Sequence, residues 1–418
     1  MLPTRIHIRD ELRTGGETLG LFELGDCAER LGALLEERRG SVKLIYMDPP
    51  YLTGDKFYMR LKVGEQGWKK GRADMVVESY ADPKDRSAYL ERMRTVLGLC
   101  RELLREDGMI FVHVDYRLQP HLRLLMDEVF GEENFLNEII WVYQTGGRST
   151  RHFSRKHDVI LFYARSGQYD FNIEAVKAVP KVPRDNHMKR HVDPDGRTYR
   201  SIRVGGKVYT YYDDEPVAPS DVWDDLSHLQ QKDPERTGYD TQKPLHLLDR
   251  VVRCASRPGE WVLDPFAGSG TTLEAAWRTG RNFIGIDAQP MTINIARRRL
   301  NGAAWRLVGA DNAAGVEAVC EAEVLAGAGF YHVTLHKFEA ALPGLPEGAA
   351  PLDGVDNWSV GYVRDGDYYV MEDCVRTRRH PALALELKAP VFSGQLALCV
   401  ADLLGRSYYF ALEVPKWE

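Results

Sequence analysis

Two clusters of residues in this chain have the types and spacing to do chemistry, and each follows an apolar run. Asp48-Pro49-Pro50-Tyr51 follows Val42-Lys43-Leu44-Ile45-Tyr46-Met47, and Asp264-Pro265-Phe266-Ala267-Gly268-Ser269-Gly270 follows Trp261-Val262-Leu263. Each reads as a buried strand running out into a loop, where open α/β sheets hold their ligands. In the first cluster Asp48 supplies a carboxylate acceptor, the prolines fix the backbone, and Tyr51 offers a face on which a planar base can stack. In the second, Gly268 and Gly270 permit a tight turn and close backbone approach. The helix that follows presents free N–H groups to the negative end of a ligand. Asp287 lies about twenty residues beyond this loop at a strand end, the distance expected for an acid that binds ribose hydroxyls. A dinucleotide site is the competing reading, but Ala-Gly-Ser-Gly-Thr-Thr is not Gly-x-Gly-x-x-Gly and lacks the lysine of a phosphate loop.

The elements that must position these clusters follow from apolar spacing. A long helix is predicted after Asp82-Pro83, with Tyr89, Met93, Val96, Leu97, Cys100, Leu103 and Leu104 at helical intervals and Gly108 as its end. Met109–Val114 is the next strand, about Pro120 to Phe130 a second helix stopped by Gly131, and Glu138–Tyr143 a third strand. Residues 144–240 change character: Gly, Pro, Arg, His and Tyr are frequent and periodicity is poor. Val159–Tyr163 is one strand inside them, and Asp195-Gly196 and Gly205-Gly206 read as turns of a β-rich insert. Regular α/β returns at Pro244, with helices at Leu245–Ser256, Thr271–Arg278 and about Met291–Leu300. Residues 305–418 read as a separate small β domain. Within it Asp365-Gly366 signals one hairpin, and Leu396–Val400 pairs with Tyr408–Leu412 around Gly405-Arg406.

The chain has 418 residues and a net charge of −6, which argues weakly against a nucleic-acid partner. The distribution says more: from Gln144 to Tyr212 there are 14 Lys/Arg against 6 Asp/Glu, a charge of about +8. A basic insert in an acidic body suggests one face for a polyanion, with a solvated loop region as the alternative. No apolar run reaches membrane-spanning length, and Met1–Arg5 lacks the blocks of a signal peptide. The six cysteines are scattered without a Cys-x-x-Cys pair, so no metal site or disulfide framework is expected. A reducing cytoplasm fits.

The order of the clusters, tetrapeptide first and glycine loop second, resembles the β class of DNA N6-adenine and N4-cytosine methyltransferases. The resemblance covers about residues 20–300. It extends to Leu124–Gly131, Asn137–Trp141, Lys156–Leu161 and Gly238-Tyr239-Asp240-Thr241-Gln242-Lys243-Pro244, where Asp240 stands in place of the more usual proline. It implies a doubly wound, Rossmann-like α/β methyltransferase sheet. The division it suggests is a catalytic half at 1–143, a target-recognition insert at 144–240, a cofactor half at 241–304 and a β-rich accessory domain at 305–418. The implied cofactor is S-adenosylmethionine, held by Asp264, Phe266, Ala267, Gly268, Ser269, Gly270, Thr271 and Asp287, with Asp264 as an acceptor for the methionine ammonium. Gln242 and Lys243 resemble a motif bordering the methionine end. Gly25-Asp26 resembles an early acidic motif near the cofactor adenine, against the plainer reading of Asp26 as a helix N-cap before Ala28–Glu37.

On this resemblance Asp48 and the Pro49 carbonyl accept from both N–H groups of an exocyclic amine, Pro50 holds the turn and Tyr51 stacks on the extruded base. Adenine N6 is preferred over cytosine N4, because Asp-Pro-Pro-Tyr is commoner in the adenine enzymes. Arg148, Arg151, Arg155 and Lys156 are the candidates for contacting double-stranded DNA. Family members are prokaryotic or phage enzymes, with or without a restriction endonuclease partner, and a homodimer is left open. The competing readings are a catalytically silent subunit, which intact motifs disfavour, and an RNA or protein methyltransferase, which the motif order disfavours. The absence of Pro-Cys counts against carbon-5 cytosine chemistry.

Overall fold

The computed structural model describes residues 5–8, 19–70, 74–143, 149–179, 188–309, 313 and 315–415. Strand Val42–Met47 is buried at every position, as a strand covered on both faces must be. It lies between two parallel neighbours, Leu104–Val114 and Trp261–Asp264. Asn282–Asp287, Leu19–Leu24 and Ala304–Val308 continue the parallel set on one side. On the other, His157–Ala164 and Phe135–Val142 add antiparallel strands. The two motif-bearing strands are therefore adjacent and parallel, and their loops emerge from the same edge.

Helices cover both faces. Cys27–Arg38, Arg86–Leu103 and Gln119–Phe130 bury Leu31, Met93, Leu97, Cys100 and Leu122 on one face. Leu245–Ala255, Thr271–Arg278 and Met291–Arg299 bury Leu247, Val251, Leu273 and Ile293 on the other. The predicted stop at Gly131 and the helix Thr271–Arg278 agree with the structure. Gly108 does not end the first long helix. That helix stops at Leu103 and passes directly into a strand, with Gly108 inside it. The strand is held to its neighbour by Lys43, fully buried, whose Nζ donates to the Asp107 carbonyl at 2.6 Å.

Two regions differ from the sequence reading. The strand His157–Ala164, expected inside the insert, is an internal strand of the main sheet, because its apolar run is buried between two strands. What lies outside the sheet is a small three-stranded meander, Lys189–Val192, Thr198–Val204 and Lys207–Tyr212. Nor does the stretch 305–418 stand only on a sheet of its own. Strand Arg5–Ile8 pairs antiparallel with Ala304–Val308 and parallel with Asp367–Val375, so one sheet of 14 strands among the described residues runs through both parts. The hairpin at Asp365-Gly366 forms as predicted, with φ of 50° and 84° at its two tip residues. A second sheet, Ala318–Gly327, Phe330–Ala340 and Glu386–Pro390, packs on it to bury Trp358, Val360 and Tyr362. A further hairpin, Lys56–Lys62 with Asp74–Ala81, was not foreseen.

Candidate active site

The loop after Val42–Met47 is held in place from both ends. Leu52 adopts a left-handed φ of 57°, a conformation that a branched side chain rarely takes without support. The support comes from buried Asp82, whose Oδ2 accepts from the Thr53 backbone N–H at 2.9 Å and the Thr53 hydroxyl at 2.8 Å. Within the turn, the Tyr51 hydroxyl donates to Asp48 Oδ1 at 2.5 Å. Lys243 Nζ donates to Asp48 Oδ2 and lies 3.3 Å from the Tyr51 oxygen. Both oxygens of Asp48 are thus engaged by side chains that can move.

The second loop is tied by its own acids. Asp264 Oδ1 accepts from the Phe266 N–H at 3.0 Å and Oδ2 from the Thr272 hydroxyl at 2.6 Å. Asp287 Oδ2 accepts from the Gly268 N–H at 2.8 Å and Oδ1 from the Gln289 N–H at 2.8 Å. Gly268 and Gly270 have φ of 48° and 70°, so the turn uses the freedom that only glycine has. A Cβ on Gly268 would stand 3.2 Å from the Tyr239 ring. Burial pushes the Asp264 carboxyl up to about 7, and the charges of Asp48 and Asp287 add to it, against the bonds from Thr272 and Phe266. Burial pushes Asp287 up to about 6, against its two backbone donors.

Two cavities open around these loops. The first, about 250 Å³, is lined by Asp264, Phe266, Ala267, Gly268, Ser269, Thr271 and Asp287 together with Asp48 and Pro50. The second, about 420 Å³, is lined by Pro49, Tyr51, Phe57, Trp141, Tyr143, Asp158 and Arg117. Asp48, Tyr80, Thr241 and Lys243 line both. A sulfonium cofactor with an added ammonium fits the first cavity by charge. Asp264 and Asp287 accept there from N–H groups and the Thr272 hydroxyl, while the third carboxylate, Asp48, is balanced by Lys243.

Not every residue that the resemblance implied for the cofactor lines the first cavity. Lys243 lines the first cavity but is bonded to Asp48, not to the glycine loop; its carbonyl accepts from the Thr271 hydroxyl at 3.1 Å. Gln242 lines only the second cavity, and its amide ties Thr237 and Glu235 together. Asp26 is the N-cap of Cys27–Arg38, accepting from Ala28 and Glu29, and pairs with Arg92; Arg92 and Cys27 line the first cavity and Asp26 does not. Gly270 caps the helix rather than facing the cavity. Arg151, Arg155 and Lys156 lie on the loop before His157–Ala164, and Arg148 lies outside the described residues. Asp158, Trp141, Tyr143 and Tyr80 were missed as wall residues. The first three sit in or beside stretches that already looked like family sequence, at strand ends pointing to the same edge.

The family profile for DNA methylases matches residues 42–298, more than half of the chain. The chain belongs to the DNA methylase family. It is a family of S-adenosylmethionine-dependent N6-adenine and N4-cytosine methyltransferases. The chain is similar to the type II methyltransferase M.EcaI of Enterobacter cloacae, 30% identical over 312 residues, covering 64% of this chain and 66% of that protein. It is also similar to the DNA adenine methyltransferase YhdJ of Escherichia coli K12, 26% identical, covering 69% and 85%. Among solved structures, TTHA0409 of Thermus thermophilus, crystallised in complex with S-adenosylmethionine, is 20% identical with a TM-score of 0.42, covering 69% and 98%. No helix among the described residues is long and apolar enough to cross a membrane.

Proposed function

We propose that this chain methylates the N6 amine of adenine in double-stranded DNA. The observation that carries this reading is the meeting of two cavities at Asp48, one floored by the glycine loop and one walled by aromatic side chains. A donor in the first and a flipped base in the second would then share one carboxylate. When bound, the cofactor supplies an electrophilic methyl group on sulfur.

The residues of the chain do the rest. An exocyclic amine is a poor nucleophile because its lone pair is delocalised into the ring. Asp48 accepts from one N–H and the Pro49 carbonyl from the other, which favours a tetrahedral nitrogen and stabilises its developing positive charge. For this, one of the two present partners of Asp48 must yield. Lys243, on a flexible stem, is the one that moves as the amine arrives, and until then its ammonium balances the carboxylate charge. Tyr51, Phe57, Trp141 and Tyr143 supply faces and edges for a planar base. Placement of the two reactants contributes about 7–11 kcal/mol.

Asp287 and the backbone at Gly268 hold the ribose and the close approach of the donor, and Asp264 offers an acceptor to its ammonium. The loop before His157–Ala164, with Arg151, Arg155 and Lys156, and the three-stranded meander outside the main sheet read the duplex. The choice of adenine rests on the acid at position 48; the relative YhdJ, named as a DNA adenine methyltransferase, agrees with it. Cytosine N4 is the second reading, because its amine offers the same two N–H groups. A cytoplasmic restriction–modification setting, with a nuclease as partner, is the setting that the resemblance of the two motifs implies. Nucleoside mass spectrometry of DNA treated with the pure protein tests the choice: N6-methyladenine is expected, and N4-methylcytosine alone would reverse it.

A further inference from the structure

Phe153 is 98% exposed, more than any other large apolar side chain among the described residues. The loop that carries it is ordered by its own bonds. Ser149 Oγ accepts from the N–H groups of Arg151 and His152 at 3.3 Å each, and Ser154 Oγ accepts from the Ser149 N–H at 3.1 Å. The loop is also fastened beside the second cavity. The Tyr143 N–H donates to the Lys156 carbonyl at 2.9 Å, and the Arg155 guanidinium lies 4.1 Å from the ring centre of Tyr116. Tyr143, Asp158 and Arg117, the neighbour of Tyr116, line that cavity. Phe153 precedes Asp158 by five residues, a chain span of at most about 18 Å. Arg151, His152 and Arg155 flank the ring with cationic or titratable side chains suited to phosphates.

We propose that Phe153 is the wedge that enters the duplex stack where the target base leaves it. This rests on the methyltransferase reading above. A base inside a duplex cannot reach Asp48, so it must be extruded, and extrusion costs the stacking of its neighbours. A ring on a cation-flanked loop beside the receiving cavity fills that gap and buries its own apolar surface in the same move. Its exposure in the free protein is then the resting state of a group whose partner is the interior of DNA.

The test compares Phe153→Ala with the wild type on two duplexes carrying the site that the wild type methylates. In one the target base is paired, and in the other it is mispaired and already loose. On the paired duplex kcat/KM should fall roughly ten- to a hundredfold, matching the uncompensated unstacking. On the mispaired duplex it should fall less than about threefold, since little unstacking remains to be offset. Phe153→Trp should restore most of the loss. With 2-aminopurine at the target position, the fluorescence rise on binding should shrink in Phe153→Ala. An equal fall on both duplexes, or none on the paired one, overturns the wedge. A wild type that methylates no DNA overturns the underlying reading and the wedge with it, and the wild-type arm alone separates that failure from the first.

Discussion

Asp48 is the residue on which two loops and two cavities converge, so its removal tests the chemistry most directly. It sits on a loop with both oxygens bonded to side chains and packs into no core cluster. Asp48→Ala should therefore fold normally and lose about 10²–10³ in methylation rate. A variant with near-normal turnover and unchanged thermal unfolding would exclude the acceptor role. The acids of the glycine loop make a second prediction. Asp264 and Asp287 hold protons up to about 7 and about 6, well above the usual aspartate value of about 3.9. The unfolded chain sheds these protons first, so the ligand-free protein should lose stability as pH rises from about 4 to about 7 and level off above that. A cationic donor prefers the ionised carboxylates, so its affinity should rise over about pH 5.5 to 7.5. Asp287→Asn should flatten that rise; a flat wild-type profile by calorimetry would discount both acids.

At the scale of elements, the glycine loop and the loop before His157–Ala164 each carry a prediction. Gly268→Val places a side chain at φ 48° and within reach of the Tyr239 ring. The expected result is loss of S-adenosylmethionine binding with the fold retained; full affinity would remove the loop from the site. Charge reversal at Arg151, Arg155 and Lys156 should weaken DNA binding at every sequence. The salt slope should drop by about one unit for each phosphate that is no longer neutralised. An unchanged slope would move recognition to the three-stranded meander.

The loops after Val42–Met47 and Trp261–Asp264 show what was legible in the sequence. The strand–loop–helix signals around Asp48 and Asp264 are local, and the structure places both loops at one sheet edge. Lys243 lines the first cavity, but its side-chain bond to a carboxylate 195 residues away is a long-range contact that its local motif does not report. Asp26 shows the reverse: a short match to an acidic motif is outweighed by two local backbone donors that any N-cap must satisfy. Trp141, Tyr143 and Asp158 enter the site through strand pairing, which residue spacing does not encode.

In the whole molecule, the C-terminal strands complete the methyltransferase core. Tyr368, Val370, Ala397 and Cys399 are buried in the same cluster as Leu247, Phe283 and Trp305. Asn294 on the last core helix donates to the Asp402 carbonyl at 2.8 Å and accepts from Asn357 at 3.1 Å. The stretch 305–418 does bury a core of its own around Trp358 and Leu398, but its strands also extend the main sheet, because hairpin signals report turns, not the edge to which a strand is added. Deleting residues 313–418 should strip these side chains from the core and bare the edge of Arg5–Ile8. The shortened protein is expected to be insoluble or to unfold without cooperativity; a soluble fragment with one sharp thermal transition would contradict the shared core.

The adjacency of Val42–Met47 and Trp261–Asp264 also sets an order in time. These partners emerge from the ribosome roughly 200 residues apart, an interval of about 10–40 s at ordinary rates of synthesis. Through that interval the strand that ends in Asp48 has one edge without its neighbour, and its apolar faces lack the helices that will later cover one of them. The nascent chain is therefore most exposed to misassembly before its cofactor half has been made, and its yield should respond more to translation speed and chaperone supply than to changes that stabilise the finished fold.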